Sequence, residues 1–370
     1  MKIAIVNCFI SNEMRVKSVY DYFVNRGHSV LVFESDFLHL TKTYRSNPPK
    51  DYVYIPTVSY KKNLSIRRLY SHSKFSNNVI KELNQYDFDL IYALIPPNSL
   101  VKDLIQYKKS KRIKVIFDVI DLWPESLPVA ISKNLFPFVL WKRLRSEYIN
   151  EADYIITQCD LYQSYLNVDE IKRKTIYFCK EKQQQIVKNK EYSKEQIVLA
   201  YLGSMNHLID IEQIGQIIKV LMTKYKVIVH VIGTGVTTNK FLTMLEQKGA
   251  SIQFYGEVYD SETLAEIFSQ CDFGLNVYKA TTCIGMTTKS IDYFSYHLPI
   301  INTIPCDTER LIKKYNAGIN VKDFSVEKVE EYRKQEKRID ELVEEEFSPA
   351  IFQTRMDEIM GKLFHQGGLQ

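Results

Sequence analysis

A chain of 370 residues, 45% hydrophobic and 25% charged, has the balance of a soluble globular protein and the length for two domains, each with its own core. Met1–Val6 is too short an apolar run for a signal peptide, and no stretch reaches the roughly 18–20 apolar residues of a spanning helix. Six scattered cysteines (Cys8, Cys159, Cys179, Cys271, Cys283 and Cys306), with no CxxC, exclude a disulfide framework or metal-type spacing and make a reducing, cytoplasmic compartment the expectation.

The net charge of +5 is unevenly distributed. Residues 1–190 carry 30 Lys+Arg and 19 Asp+Glu, a balance of +11, while residues 191–370 carry 19 and 25, a balance of −6. A basic first half suits an anionic membrane surface or a diphosphate-bearing partner, with a merely solvated basic surface as the plain alternative. Nucleic acid is not expected, because no nucleic-acid motif accompanies the charge.

Taken in chain order, Lys2–Asn7 reads as a buried strand, Val16–Arg26 as a helix stopped by Gly27, and Ser29–Phe33 as a second strand. That is the opening of a doubly wound sheet. Asp89–Leu94, Val115–Ile120 and Ala152–Thr157 are further strands with helical stretches between them. Residues 183–195, highly polar and without core signal, read as a linker between domains 1–182 and 196–348. The second domain restarts the rhythm with strands at Ile197–Leu202, Val227–Ile232, Ile252–Tyr255, Phe273–Val277 and Pro299–Asn302, and Ala317–Val321 adds an edge strand. Glu327–Glu346 is expected as an exposed, charged helix. Pro349 then breaks the chain before a last amphipathic helix, Phe352–Phe364, in a segment 349–370 expected to return to the first domain.

Several short segments carry chemistry. In Ile284–Ile301, IGMTTKSIDYFSYHLPII, Lys289 and Asp292 stand three residues apart at the start of a helix. That spacing aims a cation and a carboxylate at one place, beside a helix N-terminus that favours anions. A cation for phosphate and a carboxylate for sugar hydroxyls suit a nucleotide-sugar, and a surface salt bridge is the plain alternative. Tyr201–His207, YLGSMNH, follows a strand. Gly203 allows a tight turn, Ser204 opens the next segment, and Asn206 and His207 are the polar candidates beyond it. Val231–Gly235, VIGTG, supplies Gly233, Thr234 and Gly235, a lone GxG without the third glycine of the dinucleotide fingerprint. Ile252–Val258, IQFYGEV, supplies Gly256 for close backbone approach and Val258 as a contact point.

In this order, the segments resemble the nucleotide-sugar element of GT-B glycosyltransferases of the large retaining family 4. The family's paired glutamates, seven residues apart, fall on Ile284 and Asp292. Thr288, Lys289, Asp292 and Tyr293 fit the "SK-x-x-[DE]-Y" form of many bacterial members. No Arg or Lys follows Gly203, which leaves Lys289 as the main cation. In the first half, Phe117–Ser126, FDVIDLWPES, resembles a segment of family members that act on lipid-linked glycans. Asp121 is the first candidate for the sugar-facing group, with Asp118 and Glu125 behind it; a structural carboxylate at a helix start is the alternative. Asn12, Glu13 and Arg15, in a first loop without the glycines common in relatives, could reach the acceptor side.

The resemblance implies an α/β, GT-B architecture: two doubly wound Rossmann-like domains facing a central cleft. It implies a retaining, metal-independent hexosyl transfer from a nucleotide diphosphate sugar, expected to be UDP-linked, to a lipid-linked glycan of capsule, O-antigen or exopolysaccharide. Catalytic roles fall to Asp121, Asp118 and Lys289, and no cofactor or metal is expected. Leu135–Tyr148, with Phe136, Phe138, Leu140 and Trp141 beside Lys142, Arg143 and Arg145, suits peripheral contact with an anionic membrane, and Lys61–Lys74 adds positive charge. Two other readings stay open: a nucleotide-sugar epimerase, for which the seven histidines form no suggestive cluster, and a catalytically weak subunit that binds and stabilises a partner transferase.

Overall fold

The computed structural model describes residues 1–127, 133–183 and 192–364. Most of the expected linker, 183–195, therefore lies outside the described residues. The chain forms two units, Met1–Phe178 with Phe352–Gln370, and Cys179–Ile351.

The first unit contains β1 (Lys2–Asn7), β2 (Ser29–Ser35), β3 (Phe37–Leu38), β4 (Thr43–Tyr44), β5 (Tyr52–Ile55), β6 (Leu90–Ile95), β7 (Lys114–Val119), β8 (Tyr154–Thr157) and β9 (Arg173–Thr175). Seven of these make a parallel sheet in the order β5-β2-β1-β6-β7-β8-β9, while β3 and β4 pair as a small antiparallel hairpin. The central strands are mostly apolar because helices cover both faces of a parallel sheet. LIYALI of β6 is buried at every position. Helix Glu13–Val24 ends before Gly27, whose φ of +76° turns the chain into β2. Helix Ile66–Leu83 starts at Ser65, whose hydroxyl accepts from the Arg68 amide.

The second unit contains β10 (Gln196–Leu202), β11 (Lys226–Ile232), β12 (Ser251–Gly256), β13 (Phe273–Asn276), β14 (Ile300–Asn302) and β15 (Gly318–Asn320), a parallel sheet ordered β12-β11-β10-β13-β14-β15. Its core joins Leu199, Tyr201, Val229, Phe241, Leu275 and Ile301. Both sheets are doubly wound, with order reversing at β1/β6 and at β10/β13. Crevices at the carboxyl ends of strands beside such reversals are where open α/β sheets bind ligands.

Two expectations about helices change. Instead of one exposed helix over Glu327–Glu346, the chain forms Val326–Lys334, a short helix Ile339–Leu342 and a π-helical turn Val343–Phe347. Val329, Tyr332, Leu342 and Phe347 pin these pieces to the core, so burial overrides the charged pattern. The last helix runs Pro349–Phe364 and begins on the proline expected to precede it, since proline at a first helical position sacrifices no intrahelical hydrogen bond. Residues from Phe352 onward belong to the first unit. There Asp357 accepts from Tyr22 at 2.7 Å and from both Nε and Nη2 of Arg26, and Phe352 packs edge-on to Tyr22.

Candidate functional site

At the carboxyl ends of β10, β11 and β12 the second unit opens a cavity of about 470 Å³, within the range of small-ligand pockets. Three strand-end turns build it. After β10 come Leu202, Gly203 and Ser204; after β11, Gly233 and Thr234; after β12, Glu257, Val258 and Tyr259. The fourth wall is helix Thr288–Ser295, which brings Asp292, with Tyr296 just beyond it. That helix is fixed at its start by Thr287, whose hydroxyl accepts from the Ser290 amide, and along its length by Tyr293, whose hydroxyl bridges Leu202 N and Ala200 O of β10.

The turns fit together only with glycine. A β-carbon on Gly233, whose φ is +115°, would lie 2.4 Å from the Gly203 carbonyl oxygen. One on Gly235 would lie 2.2 Å from the Met205 oxygen. The register between β11 and β12 shifts at Val231/Ile232, immediately before Gly233, and the Gly233 amide donates to the Gly256 carbonyl at 2.5 Å. A bulge at this place re-aims the strand end toward the cavity.

The charged groups are distributed as follows. Asp292 is ion-paired with Lys180, which also lines the cavity. Burial raises the Asp292 carboxyl pKa, and the Lys180 charge partly offsets that. Glu257 accepts from Thr234 Oγ1 at 2.5 Å and from the Tyr259 hydroxyl at 2.8 Å, so a second carboxylate stands at the wall. Lys289 does not line the cavity. Its stem runs behind Gly203, where a β-carbon would stand 4.0 Å from Lys289 Cδ. Its ammonium is buried, with no hydrogen-bond partner, 4.3 Å from the Tyr201 ring centroid and 4.8 Å from that of Tyr278. Burial lowers its pKa to about 7.

The structure thus gathers Gly203, Ser204, Gly233, Thr234, Val258 and Asp292 around one cavity. Others move away from it. Asn206 uses its side-chain oxygen to accept from Leu208 N, His207 is exposed off the cavity, and Gly235 is a packing glycine against Met205. Gly256 contributes its carbonyl to Gly233 rather than a wall, and Thr288 is exposed at the first turn of its helix. Sequence reasoning missed Lys180, Glu257, Tyr259 and Tyr296. Glu257 lay inside the IQFYGEV segment and could have been found there; Lys180 had no local signal.

In the first unit, Asp118 and Arg15 are corrected from site residues to a structural pair. Arg15 Nε lies 2.6 Å and Nη2 3.3 Å from the Asp118 carboxylate, Nη1 donates to Tyr177 O, and Tyr92 donates to Asp118 at 2.5 Å. Both side chains are inside the domain, at 1% and 0% exposure, because Asp118 points inward from β7. Glu125 is likewise tied up, with Arg145 at 2.8 Å and Lys142 at 3.2 Å. Burial pushes its carboxyl up, but the bond and charge of Arg145 outweigh this and leave it lowered. Asp121 and Asn12 instead share a small cavity with Arg68, His39 and Trp123. Among the described residues, no group of three or more His, Cys, Asp or Glu side chains is placed to hold a metal ion.

No family model matches the sequence, and no curated protein matches it. Solved structures do. The apo form of the lipopolysaccharide outer core galactosyltransferase WaaB superposes with a TM-score of 0.70 at 13% identity, over 99% of this chain and 100% of that one. Sucrose-phosphate synthase from Thermosynechococcus elongatus gives 0.72 at 12% identity, over 99% and 100%. Anabaena HepE, in complex with UDP and glucose, gives 0.65 at 11% identity, over 98% and 99%.

The fold is GT-B.

At such identities the likeness is one of fold, and function has to be argued from the residues at the GT-B sheet ends. No helix among the described residues is long and apolar enough to cross a membrane.

Proposed function

We propose that the chain is a glycosyltransferase of the retaining family 4 kind, which takes a sugar from a UDP-linked donor held in the second unit. The observation that carries this reading is the cavity that gathers the Gly203 and Gly233 turns, Asp292, and a buried ammonium with no hydrogen-bond partner behind Gly203. A buried cation without partners is costly unless an anion comes to it. Gly203 and Gly233 use their own amides to bind the Ile232 and Gly256 carbonyls, and the turns they make bring the amides that follow, of Ser204 and Thr234, to the cavity as companions for a diphosphate. Asp292 would accept the ribose hydroxyls once Lys180 leaves it, and Lys180 would then face the diphosphate, in place of the base that relatives carry after Gly203. Charge growing on the departing diphosphate would be met by Lys289 and these amides, without a metal. The leaving phosphate would take the acceptor's proton during front-face attack. The acceptor is proposed to be a lipid-linked glycan of a surface polysaccharide.

Membrane contact belongs to this proposal. Ile66 and Leu64, at the start of helix Ile66–Leu83, are 86% and 48% exposed, and Phe136 and Leu140 of helix Phe136–Ser146 are 78% and 50% exposed. One apolar groove is lined from both helices, by Leu64, Ile66 and Leu69 and by Pro137, Phe138 and Trp141, so these side chains share a face. Lys61, Lys62 and Arg67 lie beside Leu64 and Ile66 in the sequence, and Lys142 and Arg143, paired with Glu125 and Glu147, follow Leu140. Apolar side chains among basic ones fit an anionic interface. In flotation with vesicles containing phosphatidylglycerol, the protein should rise with the lipid, and Ile66→Ser/Phe136→Ser should stay behind. Equal flotation of the double variant would remove the membrane face.

The donor reading is tested by calorimetry with UDP, GDP and ADP. UDP should bind, and Asp292→Ala should weaken it roughly 10- to 150-fold, the loss of about 1.5–3 kcal/mol for a charge-assisted hydrogen bond. Failure of all three nucleotides would favour the stabilising-subunit reading, to which Ile284 in place of the first glutamate also points.

A further inference from the structure

The first unit has its own pocket, of about 70 Å³, where the chain leaves β1, β6 and β7 and the sheet order reverses. Phe9, Asn12, His39, Arg68, Asp121 and Trp123 are among its walls. Arg68 distinguishes it. Arg15, Arg45 and Arg145 in the same unit each hold a carboxylate. Arg68, only 6% exposed, forms no such ion pair among the described residues, and its Nε has no hydrogen-bond partner. Its guanidinium lies 4.2 Å over the Trp123 ring, and Nη1 donates to Asn63 O at 2.7 Å. These contacts hold the group rigidly while leaving its Nε–H unused.

The histidines beside it are also unspent. His39 Nδ1 and both ring nitrogens of His72 have no hydrogen-bond partner, and His72 stacks on Trp123 at 5.9 Å. Burial and the Arg68 charge keep both imidazoles neutral, His39 titrating at about 4. His39, a wall of the pocket, adds hydrogen-bonding capacity there without adding charge, while His72 supports the Trp123 ring from outside the lining. Asp121 lies in the same walls with Ser126 donating to it at 2.7 Å, and burial raises its carboxyl. One rigid cation with a free donor, a neutral imidazole, a carboxyl and an aromatic face are the parts needed for a hydroxylated ring that bears an anionic group.

We propose that this pocket binds a carboxylate or phosphate group carried by a sugar. Arg68 Nε donates to the anionic oxygen, His39 lies beside it, and Asp121 accepts from a ring hydroxyl. That the ligand is the acceptor rests on the transferase reading above; the binding itself does not.

The experiment follows tryptophan emission, which reports this place because the chain has two tryptophans, Trp123 and Trp141, with ring centroids 5.9 Å apart. With UDP present to occupy the donor cavity, wild-type protein is titrated with D-glucuronate, glucose 6-phosphate, inorganic phosphate and glucose. At least one anionic sugar should saturate at a concentration tenfold or more below that of glucose. Glucuronate alone would identify a sugar acid, and glucose 6-phosphate alone a phosphate ester. Arg68→Gln should erase the preference while UDP binding, measured separately, stays unchanged. Should that variant fail to fold, Arg68→Lys keeps the charge, lacks Nε–H, and should still lose the preference at least tenfold. No advantage of any anion over glucose in wild-type protein overturns the proposal, as does an unchanged preference in a folded Arg68 variant. Loss of UDP binding with the anion preference retained would instead sink the donor reading and leave this one standing.

Discussion

Lys289→Met should make the ligand-free protein more stable and the UDP-bound protein much weaker. In the ligand-free state the ammonium is buried over Tyr201 and Tyr278 without a hydrogen-bond partner. Methionine has a similar stem and no charge, so the change removes a desolvation cost and keeps the packing. A melting temperature raised by a few degrees is expected in the absence of nucleotide. Binding should move the other way, with UDP affinity falling roughly 10- to 150-fold, as expected for about 1.5–3 kcal/mol lost with a charged donor. A variant that loses stability and keeps UDP affinity would show the lysine to be structural.

The same residue sets a pH dependence whose sign is fixed. Folding lowers the Lys289 pKa from its usual value near 10.4 to about 7, so between these values the unfolded chain binds more protons than the folded one. Stability contributed by this group therefore rises with pH from about 7 to about 10 and is least at and below pH 7. Nucleotide binding needs the protonated form and should weaken by roughly tenfold per pH unit above 7.5, until the pKa of the bound state is reached. Calorimetry at pH 8 in buffers of different ionisation enthalpy should show close to one proton taken up per UDP. Lys289→Met should abolish that uptake.

The second large effect lies in the other unit. Asp118→Ala should cost about 3–5 kcal/mol of folding stability, because it leaves Arg15 buried without its carboxylate. Chemical denaturation of the variant measures this directly. Under conditions where it remains folded, UDP affinity should equal that of wild type, since Asp118 is fully buried and bonded to Arg15 and Tyr92. A stable Asp118→Ala protein without activity would return Asp118 to a catalytic role.

How much of this could be read from the sequence depends on distance along the chain. The central strands were legible because a strand buried on both faces is a short run of apolar residues, as LIYALI and KIAIVN are. Edge pieces were not: Arg173–Thr175 is three polar residues paired only with Tyr154–Thr157. Lys289 and Asp292 were found because both belong to one helical turn. Their environments were not, since burial of Lys289 depends on Tyr201 and Tyr278, and Asp292 meets Lys180 from 112 positions away. Asp118 misled for the same reason, its partner Arg15 being 103 positions distant. A carboxylate at a strand end looks the same in sequence whether it faces solvent or an arginine.

The return of the final helix also bears on how the molecule is made. Emerging from the ribosome, Met1–Phe178 lacks the segment that supplies Asp357 to Tyr22 and Arg26, Glu358 to Lys174, and Phe352 to the Arg15 guanidinium at 5.1 Å. Everything from Cys179 to Ile351 must be synthesised before that seat is filled, and closing so long a loop carries an entropic cost of its own. The second unit, Cys179–Ile351, is by contrast one uninterrupted span of sequence. The half of the protein translated first is thus the half finished last, and a premature stop after Ile351 would be felt in the folding of the amino-terminal sheet.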